Sequence, residues 1–210
     1  KDVFDALALG ETRSLVGFDA EEARKRVLAL PWVNHVEIRK YYPGKLLVEL
    51  REKQAFAVWQ QDNNLSVVEK SGKLITKFGI ADLIDNRFSH LPHLVGRGAA
   101  ESATDILPLA ARYPKIAIKA KAYIRVANRR WDVAFADGVK VQLPEYGVGQ
   151  ALLQLARLDD EQELLSRQIS NVDLRLADRV TLRLEPEAAA DRTKLVAARL
   201  KAMKKAERNL

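Results

Sequence analysis

The sequence predicts an α+β protein: a small domain of helices packed on a short sheet, a larger antiparallel β-rich domain with flanking helices, and a basic C-terminal tail. Two observations predict this class. Apolar residues recur at helical spacing in the segment before Pro31, whereas most later segments alternate apolar and polar residues and are separated by glycine-containing turns. The predicted boundaries are residues 1–52, 53–186 and 187–210. A chain of 210 residues can bury cores of this size without disulfides.

Two helices are predicted at the start of the first domain. Residues 1–9 are compatible with a helix, and a second helix is predicted after Asp19, whose carboxylate can accept hydrogen bonds from first-turn N–H groups. Glu22 follows three residues later and Phe18 can pack onto the first turn, which is typical of a capped helix start. Pro31 ends the helical spacing.

A hairpin is predicted to complete this domain. Trp32, Val36 and Ile38 are expected on one face of its first strand, and residues 46–51 form the return strand. The Pro43-Gly44 pair lies between them, where proline fixes φ and glycine allows a positive φ. The first domain is therefore predicted as helix, helix, strand, turn, strand.

The second domain is predicted to consist mainly of hairpins. Ser71-Gly72 and Asp137-Gly138 mark two of the turns, and Asp-Gly is among the strongest short hairpin signals. Residues 115–126 alternate over twelve positions, which predicts one long half-buried strand with Ile116 and Ile118 on its apolar side. A helical stretch is predicted after the second hairpin, with a break near Asp159.

The last predicted hairpin pairs residues 172–176 with residues 180–184, before Glu185-Pro186 stops the ladder. If no later segment pairs with residues 180–184, their outer N–H and C=O groups form an edge that another chain can extend. The alternative is that Arg179 and Arg183 only protect this edge from unwanted pairing. The sequence favours neither.

The residues that commonly carry catalysis or metal binding are sparse. There is no cysteine, and the three histidines are His35, His90 and His93. Pro92 prevents a regular helix between the last two, and no further ligand completes a metal site. The carboxylates at Asp82, Asp85 and 159–161 are not grouped around a base or a nucleophile.

Motifs for nucleophilic or cofactor chemistry are also missing. The chain has neither a Gly-x-Ser-x-Gly elbow nor a phosphate-binding loop. Gly147-Val148-Gly149 resembles the start of a dinucleotide fingerprint, but Leu152 occupies the position that needs glycine or alanine. We therefore expect no enzymatic activity, no cofactor and no metal.

Charge is concentrated at the C-terminus. Of the formal net charge of +7, residues 191–210 carry +5, because they contain seven Lys or Arg and two acidic residues, which leaves +2 for the first 190 residues. A nucleic-acid-binding function would rest on this tail alone. The tail also has a narrow helical stripe of apolar residues, so it is either a solvated end or a partner or lipid site; the stripe is Leu195, Val196, Leu200 and Met203.

No segment is long and apolar enough to span a bilayer, and the sequence begins with Lys rather than Met. A targeting or anchoring segment is therefore expected upstream.

Several blocks, in order, resemble the extracytoplasmic region of the bacterial cell-division family FtsQ/DivIB. The blocks of the first domain and its border are Leu30-Pro31-Trp32-Val33, Val36–Arg39, Tyr42-Pro43, Leu46–Glu52 and Ala55–Trp59. The later blocks are Leu91–Gly96, Arg130–Val133 with Asp137-Gly138, and Val172–Arg175.

This resemblance implies a single-pass protein of the bacterial inner membrane, with a polypeptide-transport-associated (POTRA) domain and a β-domain on the periplasmic side at the division septum. Family members begin the POTRA domain with a strand, and this sequence is expected to start at or after its end, so the sheet of the first domain should either lack one strand or be completed by residues outside this sequence. The implied function is a non-enzymatic scaffold that links early and late septal cell-wall proteins. The implied partners are the small coiled-coil proteins FtsB and FtsL, and other septal proteins are expected to contact the POTRA domain.

The resemblance also implies where the partner binds, by adding a strand beside the last β-strand. Carried over position by position, the expected partner-binding residues are Arg175, Leu176, Asp178, Arg179, Val180, Thr181, Leu182, Arg183 and Leu184. The second possibility is a POTRA-containing module that binds or chaperones polypeptides in envelope assembly or secretion. That class predicts tandem copies of the first domain, and residues 60–184 contain no such repeat.

Overall fold

The computed structural model describes residues 2–9, 15–79 and 88–207. The chain divides into two compact units, residues 1–91 and 92–210. Each unit has its own helices and strands, and each is described separately.

The first unit begins with two helices, α1 (Asp2–Leu7) and α2 (Ala20–Leu28). The Asp19 carboxylate accepts hydrogen bonds from the backbone N–H groups of Glu21 and Glu22, at 3.0 and 3.1 Å, which confirms the predicted cap. The apolar side of α2 packs into a core with residues on either side of it; the buried members are Leu7, Phe18, Ala23, Val27, Val33 and Val36.

Strands β1 (Val33–Tyr41) and β2 (Lys45–Glu52) form the predicted antiparallel hairpin, a two-stranded sheet in the described part of the chain. The register shifts between Val33 and His35. This irregularity breaks strict alternation, so Val33 and Val36 both reach the core of α2.

Two details of the predicted hairpin are wrong. Trp32 precedes the strand, and its ring stacks on Phe88 with centroids 6.0 Å apart, in a different cluster from Val36. Gly44 does not have a positive φ, and the Tyr42–Pro43 peptide bond is cis. The turn is therefore made without the left-handed glycine that the sequence predicts.

Strands β3 (Ala57–Gln61), β4 (Asn64–Val68) and β5 (Leu74–Phe78) follow as an antiparallel meander. Gly72 lies in the turn between the last two strands with a φ of 82°, as its position predicts. Their buried side chains form a second cluster, whose members are Val58, Leu65, Val67, Ile75 and Phe88.

The second unit contains a sheet with the strand order β11-β10-β9-β8-β7-β6. Most neighbours are antiparallel, but β6 and β7, and β9 and β10, are parallel. The strands are β6 (His93–Val95), β7 (Ala120–Val126), β8 (Arg130–Phe135), β9 (Lys140–Gln142), β10 (Ile169–Asp173) and β11 (Thr181–Leu184). The helices are α3 (Ala103–Ala110), α4 (Pro114–Lys119), α5 (Val148–Gln162) and α6 (Pro186–Glu207).

The prediction of one strand over residues 115–126 is wrong for its first part, which forms helix α4. Pro114 opens this helix, where its fixed φ and missing N–H are tolerated. In the helix Ile116 is buried and Ile118 is 84% exposed, whereas a strand would place both on one face. The strand begins only at Ala120.

The predicted hairpin at Asp137-Gly138 is confirmed by the antiparallel β8–β9 pair, with Gly138 at a φ of 84°. Helix α5 ends as predicted near the acidic run. Glu163 turns left-handed at a φ of 51°, and a short 3₁₀ turn follows at Leu164–Ser166. The Asp159 carboxylate accepts the Leu165 N–H at 3.0 Å, which fixes this break.

The tail is helical as α6 from Pro186 to Glu207. In the described ranges, no helix is both long and apolar enough to cross a membrane.

Candidate partner-binding edge

Strand β11 ends its sheet. It pairs on one side with β10, with Thr181 opposite Asp173 and Leu182 opposite Val172. No strand within the described ranges lies on its other side. Because successive backbone groups of a strand point to opposite sides, about half of the N–H and C=O groups of β11 point away from the sheet.

The exposed side chains of β11 differ between its two faces. Leu182 lies across from buried Val172, so it belongs to the apolar face, yet it remains 43% exposed at the edge. Thr181 and Arg183 are exposed on the opposite face. A strand added here would meet an apolar side chain on one face and polar side chains on the other.

A polar row reaches this edge across four strands. Cross-strand neighbours run from Asp132 in β8 to Gln142 in β9, then to Asp173 in β10 and Thr181 in β11. These residues therefore share one face of the sheet. The edge strand thus lies at the end of a polar row that begins at Asp132 inside the sheet.

Asp132 lies within this polar row and is almost completely buried. Its side chain is 1% exposed, and the Lys140 Nζ lies 2.8 Å from Oδ2. The Arg130 Nε lies 3.6 Å from Oδ1. The preceding residue, Trp131, is buried on the other face of the strand. The Arg125 guanidinium lies over the Trp131 ring, 5.0 Å from its centroid. Two cations thus neutralise the buried carboxylate.

The connector between β10 and β11 is fixed at its start by an ion pair. The Arg175 guanidinium lies 2.6 Å from the Asp173 carboxylate, which also accepts the Arg175 backbone N–H at 3.0 Å. The side-chain hydrogen bond from Arg175 lowers the pKa of Asp173, and the same bond raises the pKa of Arg175. Both groups are therefore charged at neutral pH.

The rest of the connector is open to solvent. Leu176 is 55% exposed and Val180 is half-buried. Asp178 and Arg179 pair with each other at 3.1 Å, both exposed. The structure therefore brings all nine predicted partner-binding residues to one hairpin, and their role in binding stays a prediction.

Sequence reasoning missed a groove beside this hairpin. Its volume is about 140 Å³, and it lies between the start of α5 and the connector, next to Tyr146, which is 85% exposed. Its other lining residues include Pro144, Gln150, Leu174, Arg175 and Ala177. No sequence signal indicated it, because the exposure of Tyr146 depends on where α5 begins.

The other residues considered for chemistry are dispersed. Among the described residues, no group of three or more potential metal ligands is found. His93 lies in β6, where burial is the first cause that lowers its pKa and the charge of Lys121 the second. Gly147 caps α5 with a φ of 77°. Asp82 and Asp85 lie outside the described residues.

Two family models match the chain. The model for the C-terminal region of cell division protein FtsQ/DivIB covers residues 57–175, and the FtsQ-type POTRA domain model covers residues 1–53. A cell division protein FtsQ from Rhizobium radiobacter is 46% identical over 99% of this chain and 97% of its own length. The chain belongs to the FtsQ/DivIB family of cell-division proteins.

Other FtsQ relatives are longer than this chain. The one from Agrobacterium fabrum is 46% identical over 99% of the chain, which spans 64% of that relative. The one from Caulobacter vibrioides is 34% identical over 87% of the chain and 59% of its own length. The resemblance of the sequence to the FtsQ/DivIB family, and the α+β fold with a POTRA region and a larger, mostly antiparallel domain, are therefore both confirmed.

Proposed function

We propose that this FtsQ/DivIB chain is a non-enzymatic scaffold of the bacterial division machinery that binds FtsB and FtsL by strand addition at β11. It links early and late septal cell-wall proteins, and other septal proteins contact its POTRA region. The observation that carries this proposal is the edge of β11, beside which no described strand lies. Membership in a family of cell-division proteins supports a role in the division machinery.

Strand addition suits the chemistry of this edge. Backbone groups supply the affinity, and side chains at alternate positions supply the specificity. Leu182 offers an apolar contact on one face, and Arg183 offers a cation on the other. We therefore expect a partner strand that alternates apolar and acidic side chains.

The charges near β11 do not by themselves prevent a partner strand from pairing with it. Arg179 is already paired with Asp178, and Arg175 with Asp173, so these cations are held in the connector rather than along the strand. Arg183 is the cation that lies on the strand itself. One charged side chain on four residues hinders random pairing while leaving room for a complementary strand.

By the same proposal, the chain is the periplasmic region of a single-pass protein of the inner membrane, located at the septum and anchored by a helix that precedes this sequence. The relatives from Agrobacterium fabrum and Caulobacter vibrioides are longer than the chain, which leaves room for such a segment in them. A POTRA module that binds polypeptides in envelope assembly is the competing function, and the experiment below separates the two.

The test is isothermal titration of the chain with the extracytoplasmic segment of its own FtsB-like partner. We expect binding by the native chain, loss of binding by Thr181→Pro because proline interrupts the pairing of β11 with Asp173 in β10 and so displaces the edge strand, and strong weakening by Leu182→Glu. Circular dichroism and urea unfolding establish that both variants remain folded.

Leu74→Glu is the matched control. Leu74 is 40% exposed on β5, much like Leu182 at 43% on β11, and the substitution adds the same charge. It should leave binding unchanged. Equal weakening by the two glutamate variants, or full binding by folded Thr181→Pro, would contradict the proposed site. Absence of binding by the native chain would favour the polypeptide-binding function.

A further inference from the structure

Most of helix α6 is exposed to solvent in the part of the chain that the structure describes. From Ala190 to Met203 every side chain is exposed. Helices in water are stabilised chiefly by packing one face against other residues. The fourteen exposed residues 190–203 of this helix therefore offer a surface to a partner.

Four apolar residues of this helix, together with Thr193, follow a heptad spacing and form a seam. Ala189, Val196 and Met203 are spaced by seven residues, and Thr193 and Leu200 lie between them at spacings of four and three. This is the a/d spacing at which helices pair by knobs-into-holes packing. Thr193 is the polar member of the seam, and its hydroxyl donates a hydrogen bond to the Ala189 carbonyl at 2.8 Å, so it needs no partner from another helix.

The seam is flanked by cations. Arg192 and Arg199 each precede a seam residue by one position, which places them at the flanking g positions of the heptad. The outer surface carries Lys194 and Lys201, of which Lys194 pairs with Asp191 at 3.1 Å. The flank of the seam is therefore positive.

We propose that α6 binds an amphipathic helix with acidic flanking residues, as one strand of a heterodimeric coiled coil. Charge complementarity selects this occupant, since acidic residues at the flanks would pair with Arg192 and Arg199. A second copy of the chain would bring the same cations to the seam and gain no opposite charge. Helices that lie on membranes need a broad apolar face, and the seam of α6 is narrower than such a face.

The inference goes beyond the proposed strand addition and does not depend on it, because β11 and the seam are separate surfaces. A partner that binds one of these surfaces does not need to contact the other. Thr181→Pro, which disrupts β11, should therefore leave helix binding by α6 unchanged.

The experiment uses the full chain and a synthetic helix of about three heptads, with leucine at the a and d positions and glutamate at e and g. Binding is measured by fluorescence anisotropy at about 0.15 M salt. Leu200→Glu should weaken binding about tenfold or more, since it places a charge in the seam. Leu195→Glu is the matched control, because Leu195 is 72% exposed on the same helix but lies off the seam. It should weaken binding less than about threefold.

A charge exchange completes the test. Arg192→Glu combined with Arg199→Glu should lose the acidic helix and gain a synthetic helix of the same design with lysine at e and g. Equal weakening by the Leu195 and Leu200 variants would mean attraction by charge alone and would overturn the proposal. So would seam-dependent binding to phosphatidylglycerol vesicles without binding of the acidic helix, or seam-dependent dimerisation in analytical ultracentrifugation.

Discussion

At the scale of single residues, the buried carboxylate of Asp132 is expected to stabilise the sheet. Asp132→Ala leaves Lys140 and Arg130 beside an empty, buried position, 2.8 and 3.6 Å from where the carboxylate oxygens were. Because the side chains of Lys140 and Arg130 are 44% and 21% exposed, water can solvate them after the substitution, so the cost is smaller than for a fully buried pair, about 1–3 kcal/mol. We expect a loss of this size in the free energy of unfolding, measured with urea.

Asp178→Ala is the control for this variant. Asp178 also pairs with an arginine, but its side chain is 67% exposed, so its removal should cost less than about 1 kcal/mol. Similar small losses for both variants would show that the Asp132 cluster does not stabilise the sheet.

His93 makes stability depend on pH. Burial, and secondly Lys121, lower the pKa of His93 in the folded state, so the unfolded chain accepts a proton at a higher pH than the folded one does. The free energy of unfolding should therefore fall as the pH drops below about 6.5, and continue to fall until the folded-state pKa is passed. His93→Gln should remove this part of the slope. Parallel pH profiles for the native chain and the variant would contradict the assignment.

Single residues also show what the sequence could and could not predict. The cap at Asp19 and the turn at Gly138 were predictable because each depends on its immediate neighbours. The burial of Asp132 was not, since in sequence it is an ordinary polar residue of an alternating strand. Its burial depends on Lys140, which the hairpin brings across from the next strand.

At the scale of elements, helix α4 is the clearest departure from the predicted strands. Alternation over residues 115–126 is compatible with a strand, but Lys115 and Lys119 pair with Asp160 and Asp159 at 2.6 and 2.7 Å. Both aspartates belong to α5, so contacts distant in sequence favour the helix. The periodicity of the sequence contains no information about such contacts.

A pair of substitutions distinguishes the helix from the strand. In α4, Ile116→Lys places a charge in the core and should cost several kcal/mol, roughly 3 or more. Ile118→Lys lies on the exposed side and should change the free energy of unfolding by less than about 0.5 kcal/mol. A strand would place both residues on one face, so comparable losses for the two variants would contradict the helix.

The candidate site was predictable at this scale to the extent that it depends on the order of elements. The hairpin of β10 and β11, and its termination at Pro186, follow from alternation and from a proline that cannot continue the ladder. The groove beside Tyr146 was not predictable, because it depends on where α5 begins relative to the connector.

At the scale of the whole molecule, the charge distribution separates two kinds of surface. The first 190 residues carry +2 and the last twenty carry +5, so the basic character of the chain belongs mostly to α6 and the residues after it. The proposed binding at the β11 edge does not depend on this charge. Its proposed role rests on backbone groups, which is why a family resemblance could indicate the location even where individual side chains differ.

The central claim is that a partner strand pairs with β11, and residue-resolved amide hydrogen exchange measures this pairing directly. The chain is compared alone and with the extracytoplasmic segment of its FtsB-like partner. We expect alternate amides of Thr181–Leu184, free to exchange in the chain alone, to become protected about tenfold or more in the complex. Unchanged exchange across β11, with protection appearing instead in β1 and β2 or in α6, would contradict this claim.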